Sequence, residues 1–196
     1  MRIEENYLTI NKYSRPDKPI KIIKGIVLHW VANPGSSALQ NRNYFESLKD
    51  QPPGLRPDEY RYASAHFIIG LQGEVIQCLL ENEMGYHVGA NKYNEITLKK
   101  LSTYYPNDCT IGIELCHPVE YDGAGKRITE HYKWAGKFTD LVLDSAAELV
   151  LELCERYNLG RNDIYRHYDI TGKDCPRYFV NNPEEWKKFL EKTFKS

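Results

Sequence analysis

The chain has 196 residues, 41% of them hydrophobic, enough to bury one sizeable core with little length left for a second. Its 26 Lys and Arg nearly cancel its 27 Asp and Glu, for a formal charge of -1, so electrostatics makes no case for a nucleic-acid partner. No apolar run approaches the roughly 18 residues that span a bilayer, and membrane insertion is not expected.

The first residues, Met1-Arg2-Ile3-Glu4-Glu5-Asn6, carry acids where a secretory signal needs a basic and then an apolar region. The expectation is a chain made in the cytoplasm without a signal peptide, or one cut from a longer secreted precursor. Five cysteines (Cys78, Cys109, Cys116, Cys154 and Cys175) include no CxxC pair and leave at least one unpaired, which argues against a disulfide framework.

In chain order, the β-branched run from Ile20 to Trp30 predicts a central strand. Alternation puts Ile26, Leu28 and Trp30 on one face and Val27 with His29 on the other. Asn33-Pro34-Gly35-Ser36 breaks it, and Ser36 or Ser37 caps a helix to about Lys49. Asp50 to Pro57 is too rich in Pro and Gly for regular structure. His66–Gly70 and Val75–Leu80 read as a hairpin with Gly73 in the turn. Thr110 to Cys116 predicts another strand, with Ile111, Ile113 and Leu115 on one side and Gly112 and Glu114 on the other. Val142, Ala146, Leu149, Val150, Leu153 and Tyr157 recur at helical spacing after Thr139 or Asp140, and Asn158-Leu159-Gly160 ends that helix. A final amphipathic helix occupies about 183–195, with Pro183 in its first turn. The pattern predicts an α/β fold: a single mixed central sheet flanked by helices, one domain over 1–196 with its core at about 20–180.

Two imidazoles and a thiol stand out. His29 ends the first predicted strand, while His167 follows the short extended segment Asp163–Arg166 and Cys175 comes eight residues later, beyond a Gly-containing loop that can fold back. His29, His167 and Cys175 can close a three-ligand zinc site with a fourth position open for water, although the spacing is not one of the tight zinc-finger spacings. By position alone, His29 reads equally as a core histidine satisfied by hydrogen bonds. Glu114 is a candidate general base, though a solvent-facing strand glutamate fits the same local pattern. Lys173 is placed to hold charge over a developing oxyanion, or is an ordinary turn lysine.

The blocks Gly25-Ile26-Val27-Leu28-His29, Ser64-Ala65-His66-Phe67-Ile68-Ile69, Gly85-Tyr86-His87-Val88-Gly89, Cys109 to Cys116 and Arg166 to Pro176 together change the reading. In order and spread the chain resembles the zinc-dependent N-acetylmuramoyl-L-alanine amidases shared by phage endolysins, bacillus and clostridial autolysins and peptidoglycan recognition proteins. The resemblance implies one zinc ion on His29, His167 and Cys175, Glu114 as proton shuttle and Lys173 as transition-state stabiliser. It further implies bacterial peptidoglycan as substrate, cut at the amide between the lactyl group of N-acetylmuramic acid and L-alanine. His87 resembles a residue that lines the substrate groove; His66 is expected in or beside it, or as a satisfied structural histidine, and Tyr86 and Trp30 are candidates for sugar stacking. His117 either reaches the groove rim or ends its strand, and His131, between Glu130 and Tyr132, is expected to have no catalytic part.

The chain departs from relatives resembling the T-odd phage lysozymes, which carry a catalytic tyrosine where this sequence has Ala65. That role is vacant here or passes to Glu114. The alternatives are a non-catalytic peptidoglycan-binding module of the same fold, a cysteine hydrolase using Cys175 with His167 as base, and a structural zinc protein with Asp174 or His66 as fourth ligand. A wall-binding domain is expected to be absent from these 196 residues, and delivery to the wall to follow holin-type release or secretion as a precursor.

Overall fold

In the computed structural model, which describes residues 2–128 and 136–195, the strands assemble into one six-stranded mixed sheet. These strands are β1 (Ile3–Glu5), β2 (Gly25–Trp30), β3 (Phe67–Ile69), β4 (Val75–Gln77), β5 (Thr110–Leu115) and β6 (Ile164–Arg166), in spatial order β1-β4-β3-β5-β2-β6. β3, β5, β2 and β6 run parallel, β4 is antiparallel to β3, and β1 is parallel to β4. β2 is buried along its whole length, as a strand with cover on both faces must be.

The alternation of β2 and β5 decides what each face meets. Ile26, Leu28, Trp30, Ile111, Ile113 and Leu115 pack into the main core with Val142, Ala146, Leu149, Val150 and Leu153 of α3 (Asp140–Tyr157). Thr139 caps that helix, its hydroxyl accepting from Val142 N–H at 3.3 Å, and Asn158 ends it in the left-handed conformation at φ 52°. The C-terminal helix (Pro183–Thr193) adds Phe189 and Trp186 to the same core. On the opposite face Val27 joins Val88, Tyr165 and Ile170 in a smaller cluster. His29 and Glu114 open on that face.

The hairpin forms as the pattern predicts, with Gly73 at φ 79° in its turn. A Cβ there would lie 2.6 Å from Ser145 Oγ and 3.0 Å from Leu141 O, so glycine also lets the turn dock on α3. The helix after Ser37 is Ala38–Ser47 (α1), closed by a capping box with Gln40.

Other expectations change. The first strand begins at Gly25 rather than Ile20: Ile22 is 65% exposed, and Ile20 N–H donates to Asn82 O, outside the sheet. Not anticipated were β1, three residues on the sheet edge, and α2 (Glu95–Leu101), whose Asn94 cap accepts from Ile96 and Thr97 N–H. The segment after β6, read as loop, winds into α4 (His167–Thr171) before Gly172 stops it at φ 79°. A further short helix, α5 (Arg177–Asn181), follows, which makes the C-terminal helix α6. His131 lies outside the described residues. Among the described residues no helix is long and apolar enough to cross a membrane.

Candidate metal centre and groove

β2 and β5 share a six-residue register that pairs His29 with Glu114 and Val27 with Gly112. Parallel neighbours in register present their side chains on the same face, so a ring and a carboxylate stand side by side there. Gly112 supplies space below them: a Cβ on it would lie 2.6 Å from His87 Cγ. The His87 ring occupies that volume. Its segment is pinned by Asn107, whose Oδ1 accepts from His87 N–H at 3.1 Å and Val88 N–H at 2.9 Å.

β6 pairs with β2 as far as Leu28 opposite Arg166, so the next residue, His167, begins α4 beside His29. Asp169 accepts from Arg166 N–H at 2.8 Å and from both arms of its guanidinium, at 3.1 and 2.7 Å, which fixes the start of the helix. Thr97 of α2 braces it by donating to Asp169 O at 2.7 Å. The return to Cys175 is closed by Tyr168 N–H donating to Cys175 O at 2.9 Å.

One ligand atom each from His29, His167 and Cys175 lies within 4.8 Å of the others, and all three residues are buried. His29 Nδ1 is 3.1 Å from His167 Nδ1 and 3.8 Å from Cys175 Sγ. A tetrahedral zinc with ordinary Zn–N and Zn–S bonds sets these separations at roughly 3.3 and 3.6 Å. The donor set fits zinc in chemistry, and both separations from His29 lie near the zinc values.

Electrostatics agrees. Burial, then the neighbouring imidazoles His167 and His87, hold His29 well below the ordinary histidine pKa, and burial with Lys173 brings His167 to about 3. Neutral imidazoles are what a metal requires. Burial, reinforced by Glu114, pushes the Cys175 thiol up, which disfavours a free nucleophilic thiolate and makes an adjacent cation necessary for ionisation. Burial raises Glu114 to about 8 against an opposing pull from Lys173, and its Oε2 is shielded without a hydrogen-bond partner. A buried carboxylate oxygen without a protein partner, beside two imidazoles and a thiol, is chemistry that suits a bound polar group.

These residues line a groove of about 540 Å³ with Glu114 and Lys173, and Tyr44, Tyr62, Tyr86 and Tyr105 form part of its walls. Lys173 itself is exposed. Tyr86 is half-buried and meets Tyr62 edge to face at 5.5 Å.

Two expectations are corrected. Trp30 borders the groove, yet it is only 7% exposed, with His117 stacked on its ring at 4.9 Å and the Arg177 guanidinium at 5.1 Å, which leaves little surface for a sugar. His66 is fully buried, with Nε2–H donating to Glu83 O at 2.7 Å and Nδ1 accepting from Gly112 N–H at 3.0 Å. It does not line the groove and has no atom left for a fourth ligand. His87 does border the groove, and both its ring nitrogens are engaged, by His29 at 3.0 Å and Thr110 at 3.1 Å. Asp174, the other fourth-ligand candidate, is exposed and accepts from Arg177 and Asn181. His117 is buried against Trp30, away from the rim, and Ala65 is buried in the core.

Thr110, Asn107, Tyr44, Tyr62 and Tyr105 were not singled out from the sequence. The tyrosines carry no local signal among 15 of their kind, and Thr110 acts through its backbone carbonyl and its hydroxyl, which only the folded sheet brings to His87.

Known proteins place this geometry. A probable N-acetylmuramoyl-L-alanine amidase of Bacillus licheniformis is 33% identical over 98% of this chain and 47% of its own length. BlyA, an N-acetylmuramoyl-L-alanine amidase of Bacillus subtilis, is 31% identical over 94% of this chain and 44% of its own. The chain thus spans a little under half the length of these relatives. Among solved structures, PlyL superposes with a TM-score of 0.68 at 19% identity, covering 100% of this chain and 98% of that one. The catalytic domain of XlyA gives 0.66 at 22% identity, covering 97% and 99%. With its pattern matched over residues 17–178, the chain belongs to the N-acetylmuramoyl-L-alanine amidase family.

Proposed function

We propose that this chain is the catalytic domain of a zinc-dependent peptidoglycan amidase, cutting the bond between the lactyl group of N-acetylmuramic acid and L-alanine. The observation that carries the reading is the convergence of His29, His167 and Cys175 beside the shielded carboxylate of Glu114 in an open groove. Those three residues would hold the ion. Zinc, when bound, supplies Lewis-acid polarisation of oxygen.

The remaining chemistry belongs to the chain. Glu114 takes a proton from the attacking water, whose oxygen bonds to the amide carbon, and delivers that proton to the alanine nitrogen as the C–N bond breaks. Its pKa of about 8 falls when cationic charge sits beside it, which suits both halves of the transfer at neutral pH. Lys173, at the rim of the same groove, faces the negative charge that builds on the carbonyl oxygen. Products are a lactyl carboxylate on the glycan and a stem peptide with a free amine. The names of relatives support the substrate, and the site of action proposed is the bacterial cell wall.

The test measures zinc per chain, then follows newly exposed alanine amines from purified wall with native, chelated and zinc-restored protein. Release that needs zinc supports the proposal. Zinc retained with no release would replace it with a wall-binding module.

A further inference from the structure

The His87 ring lies between Thr110 and His29, and its hydrogen-bond roles are set from one end. Thr110 Oγ1 donates its only hydrogen to Pro106 O at 2.7 Å. Toward His87 Nε2, both Thr110 O at 3.1 Å and Thr110 Oγ1 at 3.3 Å therefore present lone pairs. A ring nitrogen facing two acceptors must carry the hydrogen. The ring is buried with no acidic partner, so it is neutral with a single hydrogen, and Nδ1 is bare. His29 Nε2 stands 3.0 Å from that bare nitrogen and must be the donor. The neutral His29 ring then has its lone pair on Nδ1, the atom that faces His167 and Cys175.

We infer that His87 is a positioning residue of the metal site: anchored on Thr110, it accepts from His29 Nε2–H and holds His29 in the tautomer whose Nδ1 lone pair points at the ion. The inference rests on the zinc reading above and extends it inward by one hydrogen-bonded layer. Ligand imidazoles are commonly oriented through their second nitrogen by a carboxylate or carbonyl. Here an imidazole relays the instruction of a strand carbonyl. Gly112 is part of the same device, since any Cβ at that position would occupy the ring's place.

Two measurements decide it. In metal-free protein labelled with 15N-histidine, long-range proton–nitrogen correlations report which nitrogen of each ring bears hydrogen. His29 and His87 should both be Nε2–H tautomers; His29 found mainly as Nδ1–H overturns the inference. Zinc affinity by chelator competition is then compared for native, His87→Phe and His87→Asn proteins. Phenylalanine keeps the bulk without the acceptor and should weaken zinc 10- to 100-fold. Asparagine can return an acceptor near Nδ1 and should restore most of that loss. A folded His87→Phe protein within threefold of native, or an asparagine variant no better than phenylalanine, overturns the inference. Failure of the native chain to take zinc would instead defeat the reading of the preceding subsection, while the tautomer measurement still judges His87.

Discussion

His29 of β2 and Glu114 of β5 are register partners on adjacent parallel strands. Strand spacing in a sheet is about 4.8 Å, so the backbones that carry the imidazole and the carboxylate are held side by side by sheet hydrogen bonds rather than by loops. Replacing Glu114 with Gln changes the chemistry and leaves the frame. Zinc content should stay at the native value, while release of alanine amines from wall falls at least 100-fold, the usual scale for losing a proton-transfer group. Metal analysis with an amine-release assay checks both halves. Full release by the glutamine protein would remove Glu114 from the mechanism.

The same carboxylate gives the metal-free protein a characteristic pH dependence. Glu114 is raised from 4.5 to about 8 by burial, so between those values the folded state keeps a proton that the unfolded state has lost. Stability from this group is present below pH 4.5 and is lost as pH rises through about 8. His66 and His117 go the other way. Both are lowered by burial from 6.5 to about 4, so their contribution is present above 6.5 and disappears as pH falls through about 4. Denaturant melts of chelated protein should therefore weaken on both sides, and Glu114→Gln should flatten only the alkaline limb. An unchanged alkaline limb would count against the buried, protonated carboxyl.

Gly112 offers a steric test independent of catalysis. An alanine Cβ would stand 2.6 Å from His87 Cγ and 2.7 Å from its Nδ1, inside a central strand that cannot shift without disturbing its neighbours on both sides. Overpacking of this kind costs about 1–3 kcal/mol. Gly112→Ala should lower the denaturant midpoint and, by displacing the ring beneath His29, also weaken zinc. Tight zinc binding in a destabilised Gly112→Ala protein would separate the ring's position from the ion.

What could be seen in the sequence follows the physics of each element. Period-two alternation in β2 and β5 places His29 and Glu114 on the face away from α3, and both strands are long enough for the period to register. The 18-residue α3 repeats its apolar stripe often enough to be unmistakable. β1 and α4 have three and five residues, too few for either period, and form because a neighbour supplies the pairing or the cap. The cover on Trp30 and the second role of His87 are hidden in the sequence for a related reason. What covers the indole is Arg177, far along the chain, and what orients the imidazole is the backbone and hydroxyl of Thr110. Such partners have no signature of their own until the sheet and α5 are assembled.

Lys173 is the residue whose role can be tested with least disturbance. It is exposed, it follows the left-handed Gly172 that ends α4, and it borders the groove with Glu114. Removal of an exposed side chain away from caps and packing changes stability by about 0.5 kcal/mol or less. Lys173→Ala should therefore melt like the native protein and retain its zinc. If the ammonium faces charge that builds only as the carbonyl is attacked, kcat should fall about 100-fold or more with KM little altered. Lys173→Arg, which keeps the charge on a different geometry, should recover part of that loss. A rise in KM with kcat unchanged would instead assign Lys173 to holding the substrate equally before and during the reaction.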